Sequence, residues 1–312
     1  MKRIFITGGS GFVGANLVRA LLDGDDEVHL LLREESDPWR LEGVLERVTV
    51  HRGEVGDLDA VRSALRASRP DWIFHLAVHG AYPTQNDSAQ IARTNVAGTA
   101  NLLNAACEIG FESFVNTGSS SEYGLKDHPP SEDELVEPNS VYAVTKVAAT
   151  TLCRNAARET GRSITTLRLY SVYGPYEEPS RLIPAMIAYG MQGTLPPLAA
   201  PSIARDFVYT ADVVDAYLRA ARRTTGEAGA IYNVGTGVQT TLGDVVEVAR
   251  EQFEMTAQPQ WNTMDARSWD TTTWVASIDK IRRELGWQPS TDFRSGFRQT
   301  AQWYAARKAK SR

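Results

Sequence analysis

An α/β chain built on a doubly wound parallel sheet with a smaller C-terminal lobe is what this sequence predicts, and three observations predict it. Short apolar runs alternate with helical periods through the first half of the 312 residues. A glycine turn falls directly after the first of those runs, and the rhythm breaks into proline-punctuated segments beyond residue 175. Strands that alternate with crossover helices lie parallel, with helices covering both faces of the sheet.

Each element follows from its period. Residues 3–7 (Arg3-Ile-Phe-Ile-Thr7) read as the first strand, 12–23 as a helix, 28–32 and 48–51 as the next two strands, and 57–68 as a helix. A fourth strand at 72–76 leads into a long helix at 89–109. The fifth strand at 114–117, a helix at about 140–160 and a sixth strand at 164–169 complete the regular part. Past Tyr173-Gly-Pro175, the residues Pro179, Pro184, Pro196, Pro197 and Pro201 interrupt every longer period. Trp261, Trp269, Trp274, Trp287 and Trp303 crowd the C-terminal end, as the core of a smaller lobe requires. Segments 212–222 and 231–234 read as a helix and a strand returning to the main sheet. The expected organisation is a main domain over 1–172 with returning segments at about 205–235, and a lobe from 173–204 and 236–312.

A formal charge of -5 and a pI near 5.6 argue against nucleic acid as the principal partner, because a phosphate-backbone surface needs a basic excess. Cys107 and Cys153 each lie in a helix-like apolar segment, which fits buried thiols in a reducing compartment. With no leader-like apolar segment at the start and no run long enough for a membrane span, a cytoplasmic protein is expected. No metal site is expected.

Thr7-Gly-Gly-Ser-Gly-Phe-Val-Gly14 stands where a strand ends and a helix begins. Gly8, Gly11 and Gly14 let the backbone turn tightly and aim N–H groups, with Phe12 and Val13 opening the helix, at a pyrophosphate. This is the dinucleotide turn of a Rossmann fold. At the end of the second strand a carboxylate would bond a free ribose 2′-hydroxyl, whereas an arginine would hold a 2′-phosphate. Residues 28–32 carry no acid and Arg33 follows, so NADP (NADPH) is expected over NAD. Glu54, in Gly53-Glu-Val-Gly-Asp57, and Leu76-Ala77 end the third and fourth strands at the edge where the two halves of the cofactor would lie.

Tyr142 and Lys146, in Asn139-Ser-Val-Tyr-Ala-Val-Thr-Lys146, share one helix face. The ammonium is expected to favour the phenolate and lower the tyrosine below its usual value near 10. A second Tyr-x-x-x-Lys, Tyr304 and Lys308, has neither a glycine turn nor a strand-end hydroxyl ahead of it. Ser119 ends the fifth strand, where it can hydrogen-bond a substrate oxygen while Tyr142 exchanges a proton with it.

With Gly8, Gly11, Gly14, Ser119, Tyr142 and Lys146 in this order, the chain resembles the extended short-chain dehydrogenase/reductases that act on nucleotide sugars. The likeness also includes Thr94-Asn95-Val-Ala-Gly-Thr99, Leu167-Arg-Leu-Tyr-Ser-Val-Tyr-Gly-Pro175, Arg205-Asp-Phe-Val-Tyr209, Tyr232-Asn-Val-Gly-Thr-Gly237 and Glu284-Leu-Gly-Trp287. The resemblance implies a triad of Ser119 (or Ser120 or Ser121), Tyr142 and Lys146, with Lys146 also on the nicotinamide ribose and Asn95 on the cofactor side. It carries Arg205 and Arg267 onto positions that bind the sugar nucleotide's diphosphate, and implies a homodimer through helices 89–109 and 140–160. Arg181, His79 and Tyr82 are further substrate-side candidates.

Several departures narrow the chemistry. Dehydratases of this family resemble one another in an Asp-Glu pair directly after the catalytic hydroxyl; Ser120 and Ser121 stand here, with Glu122 one place further on. Ser171 replaces the asparagine usual before Val-Tyr-Gly-Pro. The main expectation is an NADPH-dependent reductase of a 4-keto-6-deoxy sugar nucleotide, favoured by Arg33. The alternative is a redox-neutral 4-epimerase with tightly held NAD. A dinucleotide-sensing protein without catalysis is the third reading.

Overall fold

The computed structural model describes residues 1–82, 84–264 and 270–310. Its main body is a seven-stranded parallel sheet formed by β1 (Arg3–Thr7), β2 (Glu27–Leu32), β3 (Thr49–Arg52), β4 (Trp72–His75), β5 (Ser113–Ser119), β6 (Ile164–Leu169) and a later strand, Ile231–Val234, at the far edge. The spatial order from that edge is 231–234, β6, β5, β4, β1, β2, β3. The order reverses between β1 and β4. Such a switch point opens a crevice at the carboxyl ends of the strands.

Alternation along each strand sends side chains to opposite faces. Ile4, Ile6, Val28, Leu30, Trp72 and Phe74 pack into one core with α1 (Phe12–Leu22). Phe5, Leu31, Ile73 and Phe114 point the other way, against α2 (Leu58–Ser68) and the helices that follow β4 and β5. Burying one such side chain completely contributes about 1.5–3 kcal/mol, so two filled faces hold the sheet flat enough to present all its strand ends on one edge.

The helix expected at 89–109 is interrupted. Between α3 (Ser88–Ala92) and α4 (Gly98–Ile109), residues Arg93–Ala97 form a π-helical turn. The wider turn brings Asn95 inward, and its amide reaches the backbone of His79 in both directions, accepting from the N–H and donating to the C=O at 2.9 Å each. Such π-turns inside α-helices often mark functional positions. The helix α5 (Val141–Thr160) opens on Ser140, whose hydroxyl accepts from the Ala143 N–H at 3.1 Å, and stops at Gly161 in the left-handed conformation. This cap places Tyr142 in the first turn.

Beyond β6 come β7 (Ser171–Tyr173), α6 (Leu182–Gly190), β8 (Ala204–Arg205), β9 (Phe207–Tyr209), α7 (Thr210–Ala221), β10 (Ile231–Val234), β11 (Thr240–Thr241), α8 (Leu242–Gln252), α9 (Asp279–Leu285) and α10 (Phe293–Lys310). α7 and β10 pack on and extend the main sheet. Tyr173, Ile187, Phe207, Val245 and Phe297 form a separate apolar cluster among α6, α8 and α10. Two buried carboxylates fasten the chain here. Asp206 accepts from the N–H groups of Thr236, Gly237 and Ala276, and Asp212 from those of Ser290 and Thr291. Among the described residues, no helix is long and apolar enough to cross a membrane.

Candidate active site

A cavity of about 1750 Å³ runs along the carboxyl edge of the sheet and under the C-terminal segments. One end is the glycine turn. Gly8 adopts φ +74°, and a Cβ there would sit 2.5 Å from the Ala77 nitrogen; one on Gly14 would collide with the Gly8 carbonyl oxygen. Gly11 caps α1 without a side-chain hydrogen bond, and no acid occupies the first turn. The first-turn N–H groups, at Phe12 and Val13 on the cavity wall, therefore keep their affinity for an anion. Gly8, Gly11, Gly14, Arg33, Glu54, Leu76 and Ala77 line the same end. The residues fit a dinucleotide: the turn would hold its pyrophosphate, and Leu32, Arg33 and Glu54, on the same wall, would flank its adenosine. Gly14→Ala should cost about 1–3 kcal/mol of overpacking and strip the purified protein of dinucleotide, as read by nucleotide released on denaturation.

Beneath the turn a buried hydrogen-bond chain ties the strand ends together. The Ala77 N–H donates to Thr7 Oγ1 at 3.3 Å, Thr7 Oγ1 lies 2.7 Å from His75 Nδ1, and His75 Nε2 lies 2.9 Å from Thr99 Oγ1, which donates to the Asn95 carbonyl. The Thr99 hydroxyl proton is committed to Asn95, so His75 donates through Nε2 and accepts at Nδ1. Burial and nearby Lys146 push His75 down to about 3, so the ring stays neutral. Asn95 goes on to Thr145 Oγ1 at 3.0 Å, inside α5. Expected as a cofactor contact, Asn95 instead sits behind the wall, 2% exposed, and fixes the loop that carries His79.

At the reaction end Tyr142 lines the cavity with Ser120, Ser121, His79, Tyr82 and Ser171. Burial raises the Tyr142 phenol, and its hydrogen bond with Ser119 works against that rise. The lowering expected from Lys146 is not what the structure shows. The Lys146 ammonium, itself lowered by burial, donates to the Thr117 carbonyl. Tyr142 answers to Ser119, Glu122, Arg181 and Tyr82 instead. Ser119 Oγ also lies 2.5 Å from Ser121 Oγ, so two hydroxyls stand together on the phenol's side of the cavity.

Glu122 does not reach the cavity. It is fully buried, with Oε2 2.9 Å from Arg168 Nε and Oε1 accepting from the Ser119 N–H and the Thr150 hydroxyl. Its work is to hold Ser119. Arg205 lines the cavity beside Asp270, 3.5 Å away, and Trp274, whose ring centre is 5.5 Å from its guanidinium. Arg181, at the start of α6, faces Tyr82 with 5.9 Å between guanidinium and ring centre. Arg267 lies outside the described residues. The second Tyr-x-x-x-Lys belongs to α10, where the Tyr304 hydroxyl donates to the Glu177 carbonyl at 3.1 Å.

The model of the NAD dependent epimerase/dehydratase family matches residues 4–235. The chain belongs to this family. A dTDP-glucose 4,6-dehydratase of Streptomyces griseus is 31% identical over 96% of this chain and 93% of its own length. UDP-glucuronate 4-epimerase 5 of Arabidopsis thaliana is 30% identical over 96% and 75%. The crystal structure of Thermus thermophilus UDP-glucose 4-epimerase in complex with NAD superposes with a TM-score of 0.86 at 27% identity, covering 97% of this chain and 99% of that one.

The protein is an enzyme of the epimerase/dehydratase family, and the structure brings the glycine turn and Tyr142 to one cavity, with Ser119 and Lys146 buried beside it. Two features on the cavity wall had no sequence signal. Glu177, in a proline-rich loop, is buried. Arg40, from the β2–β3 connection, donates to the Tyr176 carbonyl at 2.7 Å and to Glu178 at 2.9 Å. Tyr176, held at φ 68°, packs its ring at a tilt against Trp303 and Trp39, with centroids 4.6 Å and 6.4 Å away. The connection that follows Arg33 is thereby fastened to the C-terminal segments. Only the fold could bring residues so distant in sequence together.

Proposed function

We propose that the protein is a redox-neutral nucleotide-sugar 4-epimerase that retains its dinucleotide through the cycle. The observation that carries this reading is that Ser120 and Ser121 stand on the cavity wall with Tyr142 where a dehydratase places acids, Ser121 Oγ lying 2.5 Å from Ser119 Oγ. Tyr142 takes the proton from the sugar's C4 hydroxyl and later returns it to the C4 oxygen, while Ser119 orients that oxygen. When bound, the dinucleotide supplies a hydride acceptor and donor. With Glu122 locked to Arg168, no acid among the described residues stands beside these hydroxyls to expel a hydroxyl as water. The Arg40 tie from the β2–β3 connection to Tyr176 and Glu178 supports retention, since it joins two walls of the cofactor end. Two of the relatives compared are 4-epimerases, one of them solved with NAD.

One observation favours a second reading, the NADPH-dependent 4-ketoreductase. Leu32 ends β2 where an acid would bind a free ribose hydroxyl, and Arg33 follows it onto the cavity wall. A single experiment separates the two. Purified protein is denatured to identify the nucleotide it carries, and intact protein is given UDP-glucose, UDP-glucuronate and dTDP-glucose, then the 4-keto sugar nucleotides with NADPH. The epimerase reading expects bound NAD(H) near one per chain, a product of unchanged mass and constant nicotinamide absorbance. A product heavier by two hydrogens, formed as NADPH is consumed, replaces it with the reductase; a product lighter by one water replaces it with a dehydratase.

A further inference from the structure

The segment after Gly174-Pro175 brings two successive acids to the cavity wall and treats them differently. The Glu178 side chain is 36% exposed and paired with Arg40 at 2.9 Å. Glu177 is 6% exposed. Its Oε1 lies 3.9 Å from Arg181 Nε, beyond hydrogen-bond range, and its Oε2 has no hydrogen-bond partner among the described residues.

Burial pushes the Glu177 carboxyl up to about 8, against the pull of Arg181 and the Gly174 backbone. The charged and titratable groups around it are Arg181 at the start of α6, Glu178 next in the chain and itself paired with Arg40, Tyr82 from the loop after β4, Tyr173 from β7 and Tyr304 from α10. Arg40 is matched by Glu178. Arg181, whose side chain is 52% exposed, is left with an uncharged acid as its neighbour. With Oε1 turned toward Arg181 as the remaining acceptor and Oε2 carrying the proton, the guanidinium and the carboxylic O–H can both donate to an oxyanion. An ionised Glu177 would do the reverse, cancelling Arg181 and repelling the anion.

We propose that Glu177 and Arg181 form an oxyanion-binding subsite of the cavity, in which Glu177 serves as a hydrogen-bond donor and binding requires it to keep its proton. This rests on the reading that the cavity takes a nucleotide sugar, whose diphosphate, or the carboxylate of a uronate sugar, is the oxyanion. The sign follows from the raised carboxyl: the donor is present below about pH 8 and is lost as pH rises through that value.

The test is the dissociation constant of UDP, UDP-glucose and UDP-glucuronate for wild type, Glu177→Gln and Arg181→Gln at about pH 6.5 and about pH 9. An amide donates at both values. Wild-type affinity should therefore weaken about tenfold more than that of Glu177→Gln over this interval, ionisation of the ligand being common to both. Arg181→Gln should bind roughly tenfold more weakly at the lower pH and lose the extra pH dependence, which keeps the test open should Glu177→Gln not fold. An effect already complete with UDP places the diphosphate at the subsite, and an effect confined to UDP-glucuronate places the carboxylate there. Equal pH dependence of wild type and Glu177→Gln for all three, or wild-type affinity in Arg181→Gln, overturns the subsite alone. Wild type that binds none of the three overturns the nucleotide-sugar reading with it.

Discussion

Tyr142→Phe should lower kcat about 10²- to 10⁴-fold, the usual contribution of a positioned proton-transfer group, while leaving KM for the nucleotide sugar nearly unchanged. The reasoning starts from position. Ser140 caps α5, so the phenol lies in the first helical turn and faces the cavity. Its partner in the structure is the Ser119 hydroxyl, and burial holds the proton on it. Phenylalanine fills the same space and keeps the ring's contacts. What it removes is the oxygen that exchanges a proton with the substrate, an interaction realised in the transition state, and such losses fall on kcat. Thermal unfolding should stay within about 1 kcal/mol of wild type, one hydrogen bond being lost. Steady-state kinetics on whichever sugar nucleotide is turned over decide the matter. Near-normal turnover by Tyr142→Phe would remove Tyr142 from the proton path. Ser119→Ala should show a smaller loss in the same direction, because Ser121 stands 2.5 Å from the lost hydroxyl and water can bridge the gap.

The parts of this protein that were legible in its sequence are those whose causes are local. The succession of strands up to β6 follows from apolar period, and the glycine turn from backbone geometry that few other residues tolerate. Tyr142 and Lys146 share a helix face, as their spacing requires. Their electrostatic relation was not legible, because the carbonyl that takes the Lys146 ammonium belongs to Thr117, in another element. Charged side chains show the same boundary. Glu122 follows three serines and reads as a pocket acid until Arg168, 46 residues away, is seen to hold it. Asp206 reads as part of a ligand motif with Arg205, and it is a buried fastener of three backbone N–H groups. Glu177 is buried as well. In each case the residue type is visible in sequence, whereas its partner and its exposure are fixed by long-range packing. The helix expected at 89–109 is present, and the π-turn inside it at Arg93–Ala97 was not legible for a related reason: it serves Asn95, whose partners are on the β4–α3 loop and α5.

Arg168→Met should destabilise the fold by about 3–5 kcal/mol, the cost of leaving one member of a buried ion pair without its partner. Both side chains are out of water, at 4% and 0% exposure, and Arg168 Nε lies 2.9 Å from Glu122 Oε2. Arg168 also donates to the Glu132 carbonyl at 3.2 Å and lies 4.5 Å from the centre of the Tyr123 ring, so it joins β6 to the chain beyond Ser119. Methionine fills much of the volume but leaves a carboxylate with only the Ser119 N–H and the Thr150 hydroxyl. Glu122→Gln alone should also destabilise, by stranding the guanidinium. The double variant should recover part of the loss, because no unpaired charge remains. Denaturant unfolding of the four proteins gives the coupling directly. A loss below about 1 kcal/mol in Arg168→Met, the range of an exposed pair, would show that water reaches the site and that Glu122 is free to act on a ligand. A large loss with positive coupling instead assigns Glu122 to holding Ser119 at the end of β5, where the hydroxyl meets Tyr142.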